Sequence, residues 1–262
     1  MAIVTTRYRS NCLNGFVTFT AVLPFENFGE DYFNPNPDAY DKGEPMKTLY
    51  LLHGVTGDEV DWLYGTRIAR YAEERHIAVI MPAGRNNFYL DNHECERWGE
   101  FIGKELVAVT RGMFHLSDRR EDTFICGLSM GGYGALRNGL KYQDTFGKIA
   151  GLSSALVFYD LADREDGGPW LQSRGYAERM FGDVTNVMGS DMDLEYLYLN
   201  GRKDIPIFMA IGESDGLLEV NRRFKAFLEK HGADLTYLEE PGAHEWDFWD
   251  RNIVRVLDWM TE

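Results

Sequence analysis

The stretch Gly127-Leu128-Ser129-Met130-Gly131 sets one serine between glycines two positions away on either side. A serine hydroxyl is a weak nucleophile, and glycines at this spacing allow a turn tight enough to hold it exposed. The chemistry open to such a group is attack on an acyl carbonyl, given a base and donors for the oxyanion. Its context supports that use. Thr123-Phe124-Ile125-Cys126 before the turn reads as a buried strand, and Gly132-Tyr133-Gly134-Ala135-Leu136 after it is compatible with a helix. A strand–turn–helix passage presents the hydroxyl at a helix N-terminus, where the dipole favours developing negative charge.

Six histidines compete to be the base. His76 and His231 fall near expected helix ends and His115 lies between a helix and a strand, so all three read as capping or surface residues. His93, in a polar loop, stays a candidate. His53 closes an apolar run and precedes Gly54, and it reads as packing beneath the site. His244 follows the last expected strand in Glu240-Pro241-Gly242-Ala243-His244 and precedes a helix, which makes it the expected base. The orienting acid is expected at Asp215, at the turn beyond the run 207–211, where a helix N-cap is the alternative role. Glu213 is the nearest rival and reads as part of the strand end. One oxyanion donor is the backbone N–H of Met130. The second is expected in His53-Gly54-Val55-Thr56-Gly57, at the N–H of Val55.

Short apolar runs without alternation, as in strands covered on both faces, occupy 48–52, 77–81, 123–128, 148–152, 205–211 and 235–238. An alternating pair at 3–8 and 15–23 reads as antiparallel strands at the sheet edge, followed by a surface loop over 27–44. Helical patterns fill 61–75, 99–114, 131–142, 217–231 and 246–260. This alternation predicts an α/β fold: a mostly parallel eight-stranded sheet with helices on both faces. One domain over 1–262 is expected, with a cap-like insertion at about 155–203 above the strand ends. Trp62, Phe88, Tyr89 and Trp98, in or near loops beyond strand ends, and Trp246, beside His244, are candidate walls of a short acyl pocket, with core packing the alternative.

A formal net charge of −15 argues against nucleic acid and against anionic membranes as partners. Cys12, Cys95 and Cys126 suggest no disulfide framework, and no Cys/His cluster has metal-ligand spacing. No 18-residue apolar run and no secretory pattern are visible, so a cytoplasmic location is expected. Exposed aromatics on a helix-covered sheet would be compatible with a homo-oligomer.

Several segments together resemble the esterase D and tributyrin-esterase branch of the α/β-hydrolases, related to acetyl-xylan and feruloyl esterases. They are Leu51-Leu52-His53-Gly54-Val55-Thr56-Gly57-Asp58-Glu59, Arg120-Glu121-Asp122-Thr123 leading into the serine turn, Gly212-Glu213-Ser214-Asp215, and Gly242-Ala243-His244-Glu245-Trp246. The resemblance spans nearly the whole chain, and the chain order Ser, Asp, His matches it. It implies an α/β-hydrolase fold and a serine carboxylesterase acting on short-chain acyl esters, on a small molecule or a carbohydrate. It also implies no cofactor and a triad of Ser129, Asp215 and His244. S-formylglutathione hydrolases of this branch carry histidine where this chain has Leu128 and Tyr133, which directs the expectation to the acetyl or tributyrin esterases. A thioesterase or an acyltransferase would use the same three residues, whereas a non-catalytic binding protein on this scaffold would often lack one of them.

Overall fold

Strands rich in Val, Ile, Leu and Phe on both faces can be stable only if both faces are covered, and the five central strands are built that way. The run at 235–238, read as covered on both faces, is only half-buried at the sheet edge. The computed structural model describes residues 1–24, 43–91, 95–167 and 169–262. Its eight strands are β1 (Ala2–Ser10), β2 (Gly15–Leu23), β3 (Lys47–Leu52), β4 (Ile77–Pro82), β5 (Thr123–Leu128), β6 (Lys148–Leu152), β7 (Ile207–Gly212) and β8 (Leu235–Glu240). They form one sheet in the order β1-β2-β4-β3-β5-β6-β7-β8. β1, β2 and β4 pair antiparallel, and every pairing from β4 to β8 is parallel.

Helices cover the faces as the sequence pattern requires. They are α1 (Asp61–Gly65), α2 (Ile68–Glu74), α3 (Trp98–Glu100), α4 (Leu106–Met113), α5 (Met130–Lys141), α6 (Arg174–Phe181), α7 (Leu194–Asn200), α8 (Leu218–Lys230) and α9 (Trp246–Thr261). The helix expected over 61–75 is broken, and Thr66 is the reason. Its hydroxyl donates to the Trp62 carbonyl at 2.5 Å and accepts from the Ile68 N–H at 3.1 Å. Such local side-chain bonds compete with the helical ladder. A π-helical turn (Phe101–Glu105) joins α3 to α4, so the pattern read as one helix over 99–114 is continuous but widened. Most of the loop expected over 27–44, together with His93, lies outside the described residues.

The parallel strands end on one side, where β3, β5, β7 and β8 deliver residues 53, 129, 215 and 244. The segment between β6 and β7, expected as a cap, carries α6 and α7. It is tied to α5 by a charged knot. Arg137, only 1% exposed, donates to the Asp191 carboxylate at 2.5 Å, to its carbonyl at 3.0 Å and to Asn138 Oδ1 at 2.8 Å. Lys141 reaches Asp91 at 3.0 Å and Asp191 at 2.6 Å. A buried guanidinium stabilises only when its partners are present, and here the insertion and the loop after β4 both supply them. Arg137→Met is expected to lower stability by about 3 kcal/mol, because two carboxylates then share one lysine. Urea unfolding of the purified variant checks this, and an unchanged midpoint would contradict it.

Candidate active site

Ser129 stands in the turn between β5 and α5 at φ 55° and ψ −118°, a backbone conformation that side-chain-bearing residues seldom adopt. The glycines on either side make room for it. A Cβ on Gly127 would lie 2.3 Å from the Gly131 carbonyl oxygen, and one on Gly131 would lie 2.4 Å from that of Leu52. The strained residue is held by its own backbone. Its N–H donates to Leu152 at 2.9 Å, and its carbonyl accepts from Tyr133 at 3.1 Å and Ala155 at 2.9 Å. The site's rigidity therefore comes from β6 as well as from α5.

The hydroxyl donates to His244 Nε2 at 3.0 Å, and His244 Nδ1–H donates to Asp215 Oδ2 at 2.9 Å. The Asp215 side chain is wholly buried while the imidazole is 37% exposed, so one end of the line is dry and the other open to substrate. Burial acts to raise the carboxyl pKa of Asp215. Hydrogen bonds from His244 and the Leu217 N–H, the His244 charge and the Ser153 hydroxyl outweigh it and hold that pKa below the usual value. Two loops fix Asp215 against His244. Glu213 and Ser214 donate their N–H groups to the carbonyls of Glu240 and Gly242, both at 2.9 Å. The rival Glu213 is exposed, and its side chain is no part of this line.

Behind the imidazole runs a ladder of indoles that sequence reading placed only in part. Trp249 meets His244 edge to face at 5.0 Å, Trp246 meets Trp249 at 5.1 Å, and Trp62 meets Trp246 at 5.7 Å. Trp249 Nε1–H also donates to the Ser153 hydroxyl at 3.0 Å. Neither Ser153 nor Trp249 stood out in the sequence, since a strand-end serine and an aromatic on a helix carry no motif. Trp62 and Trp98, read as acyl-pocket walls, are each 1% exposed and belong to the core. The Trp62 indole N–H is spent on the Leu52 carbonyl at 3.1 Å, and Trp98 is covered by the Arg85 guanidinium. Phe88 and Tyr89 are likewise buried, and Trp246 alone of these candidates is half-buried.

The loop after β3 lies against Ser129. A Cβ on Gly54 would stand 3.4 Å from the Ser129 Cβ and 2.8 Å from a Leu128 methyl carbon. Among the described residues, no backbone hydrogen bond uses the N–H of Val55 or of Met130. His53 shapes this loop. Its Nδ1–H donates to the Gly54 carbonyl at 2.6 Å, and its Nε2 accepts from the Gly84 N–H at 2.7 Å. That pattern requires the neutral imidazole, and burial pushes the His53 pKa below its ordinary 6.5. The remaining histidines serve elsewhere. His115 bonds the Gly43 carbonyl and His231 the Phe227 carbonyl, and His76 is exposed just beyond α2. No group of three or more potential metal ligands occurs among the described residues.

With this geometry in place, the relatives are informative. The Esterase family, described as Putative esterase, matches residues 32–260. An acetyl esterase of Caldicellulosiruptor saccharolyticus is 42% identical over 268 residues, covering 100% of this chain and 99% of that protein. The fluorophosphonate-binding serine hydrolase FphF of Staphylococcus aureus superposes with a TM-score of 0.84 at 29% identity, over 100% of this chain and 98% of that one. The S-formylglutathione hydrolase FrmB of Staphylococcus aureus gives 0.83 at 29% identity, over 100% and 99%. The chain belongs to this esterase family. It has the α/β-hydrolase fold and is a serine carboxylesterase.

The neutral state of His53 has a consequence for stability. Once unfolded, His53 takes up a proton below pH 6.5, whereas the folded state resists it, so the unfolded state binds more protons and stability falls as pH drops through 6.5. The loss approaches about 1.4 kcal/mol per pH unit until the depressed folded value is reached. Replacing His53 by Gln is expected to flatten this slope between pH 7 and pH 5 in urea titrations. An equally steep slope in the variant would rule out His53 as its source.

Proposed function

We propose that this esterase hydrolyses short-chain acyl esters, acetyl esters above all, through an acyl-enzyme on Ser129. The observation carrying the assignment is the unbroken line from Ser129 Oγ through both nitrogens of His244 to Asp215. His244 Nε2 takes the hydroxyl proton as Oγ attacks the ester carbonyl. The carbonyl electron pair moves to oxygen, where the N–H groups of Met130 and Val55 would receive it. As the tetrahedral species collapses, the C–O bond to the alcohol breaks and His244 returns the proton to the leaving oxygen. Water then attacks the acyl-enzyme with the same imidazole taking its proton, the bond from the acyl carbon to Ser129 Oγ breaks, His244 returns the proton to Oγ, and the acid departs. Asp215 fixes the tautomer with its proton on Nδ1 and stabilises the imidazolium formed in each half-reaction.

Support for acetyl over larger acyl groups comes from the acetyl esterase relative. A second feature bears on the alcohol. A cavity of about 960 Å³ lies between the loop after β4 and the insertion, lined by Arg85, Asn86, Trp170, Tyr176 and Arg179 among others. Ser129, Asp215 and His244 are not in its lining, so with its half-exposed Trp170 it would hold only the part of an alcohol remote from the ester bond, such as the far end of an acylated carbohydrate. The likeness to an S-formylglutathione hydrolase favours a thioester leaving group as the second reading. No helix of the described residues is long and apolar enough to cross a membrane. The three cysteines are all unpaired, which supports a cytoplasmic site of action.

Ser129→Ala should fold normally yet lose at least about a thousandfold in kcat toward p-nitrophenyl acetate. Near-normal turnover would refute the assignment. Across p-nitrophenyl esters from C2 to C10, kcat/KM is expected to be greatest at C2 to C4. A preference for the long chains would overturn the acyl-size reading, and faster turnover of S-formylglutathione than of any oxygen ester would favour the thioester reading.

A further inference from the structure

The candidate oxyanion donor at Val55 lies between two peptide units, one anchored by His53 within the same loop and the other by Asn86 from outside it. A peptide unit is planar and trans, so fixing its carbonyl fixes the direction of its N–H. The unit containing the Val55 N–H has the Gly54 carbonyl as its other end, which accepts from His53 Nδ1 at 2.6 Å. The next unit pairs the Val55 carbonyl with the Thr56 N–H. That carbonyl accepts from the Thr56 hydroxyl at 2.6 Å, and that N–H donates to Asn86 Oδ1 at 2.7 Å. Thr56 is held at φ 67°, where a β-branched residue is under steric strain. Something must oppose its relaxation.

The opposing element is the loop after β4, and it carries strain of its own. Arg85, Phe88 and Tyr89 have φ values of 49°, 56° and 56°. Four non-glycine residues at positive φ in two facing loops make a cluster of the kind that persists only where surrounding contacts over-determine it. Those contacts are on hand. The loop after β4 grips the loop after β3 at three points: Gly84 N–H on His53 Nε2 at 2.7 Å, Tyr89 hydroxyl on the His53 carbonyl at 3.0 Å, and Asn86 on Thr56. Asn86 is itself tied to the insertion, since its carbonyl accepts from the Tyr176 hydroxyl at 3.3 Å. Phe88 packs against Tyr133 of α5 at 5.7 Å and Phe181 of α6 at 5.1 Å.

We infer that Asn86 is a positioning residue for the oxyanion site: its carboxamide holds the strained Val55–Thr56 peptide so that the Val55 N–H is aimed where carbonyl charge develops. The inference rests on the reading of Ser129 and Val55 given above. Asn86 touches no reacting atom and acts through the loop. Because oxyanion donors act on the tetrahedral state more than on the bound ester, its loss should appear in kcat and leave KM nearly unchanged.

The test uses Asn86→Ala and Asn86→Asp in the full-length enzyme, with a trifluoromethyl ketone as probe. Addition of Ser129 Oγ to that ketone forms a C–O bond, passes the hydroxyl proton to His244, and leaves the negative charge on the former carbonyl oxygen. Asn86→Ala is expected to lower kcat on p-nitrophenyl acetate roughly 10- to 100-fold with KM within about twofold, a part of what losing a whole donor costs. The ketone's Ki should rise by the same factor. Asn86→Asp keeps an oxygen acceptor facing the Thr56 N–H and should recover most of both losses. Asn86 is partly exposed, so the variants should fold, and melting curves identify any that do not. If Asn86→Ala leaves kcat and Ki within twofold of the parent, or if Asp behaves like Ala in a folded protein, the inference is overturned. If the parent itself fails to bind the ketone more tightly than the ester, or binds it equally after Ser129→Ala, the underlying reading fails instead.

Discussion

One contact spans the molecule's functional logic: the hydrogen bond between Ser129 and His244, groups 115 positions apart in the chain and 3.0 Å apart in space. In the proposed mechanism a weak nucleophile becomes useful only while that distance is kept, and the turn and loops around the site keep it. The serine is set by a strained turn locked to β6, and the imidazole by a loop hydrogen-bonded to the strand end that carries Asp215. Parallel strands bring these ends together because every crossover returns the chain to the same edge of the sheet.

The site has an outer layer with the same purpose. Trp249 supports the imidazole with its ring and engages Ser153 with its indole N–H, and the Ser153 hydroxyl helps keep Asp215 charged. His53, kept neutral by burial, links the loops after β3 and β4, so it belongs to the backbone scaffold and not to proton transfer. A buried neutral imidazole in such a role trades stability at low pH for a fixed loop. The Arg137 knot extends this order outward by joining α5 to the insertion.

Much of this was legible in the residues themselves. The glycine spacing around Ser129 reports a turn that no Cβ could enter, so the strand, the elbow and the helix could be read from local sequence. Asp215 and His244 could be located because loops after the last two strands are constrained by topology. The aromatic residues were harder. Loop position places an indole near a strand end but does not say which way it points, and Trp62 and Trp98 turn inward because burying their large apolar area stabilises more than exposing it. Asn86, Ser153 and Trp249 act through backbone carbonyls, amide groups and ring edges. Such partners are defined by tertiary contact and leave no spacing in the sequence.

The most direct test of the account is mass spectrometry of the enzyme quenched during turnover of p-nitrophenyl acetate, followed by peptide mapping. The account predicts a single transient acetyl group, carried on the peptide containing Ser129 and lost once substrate is exhausted. An acetyl group on another residue during turnover, or catalysis with no acylated peptide under conditions where alcohol release precedes acid release, would contradict it.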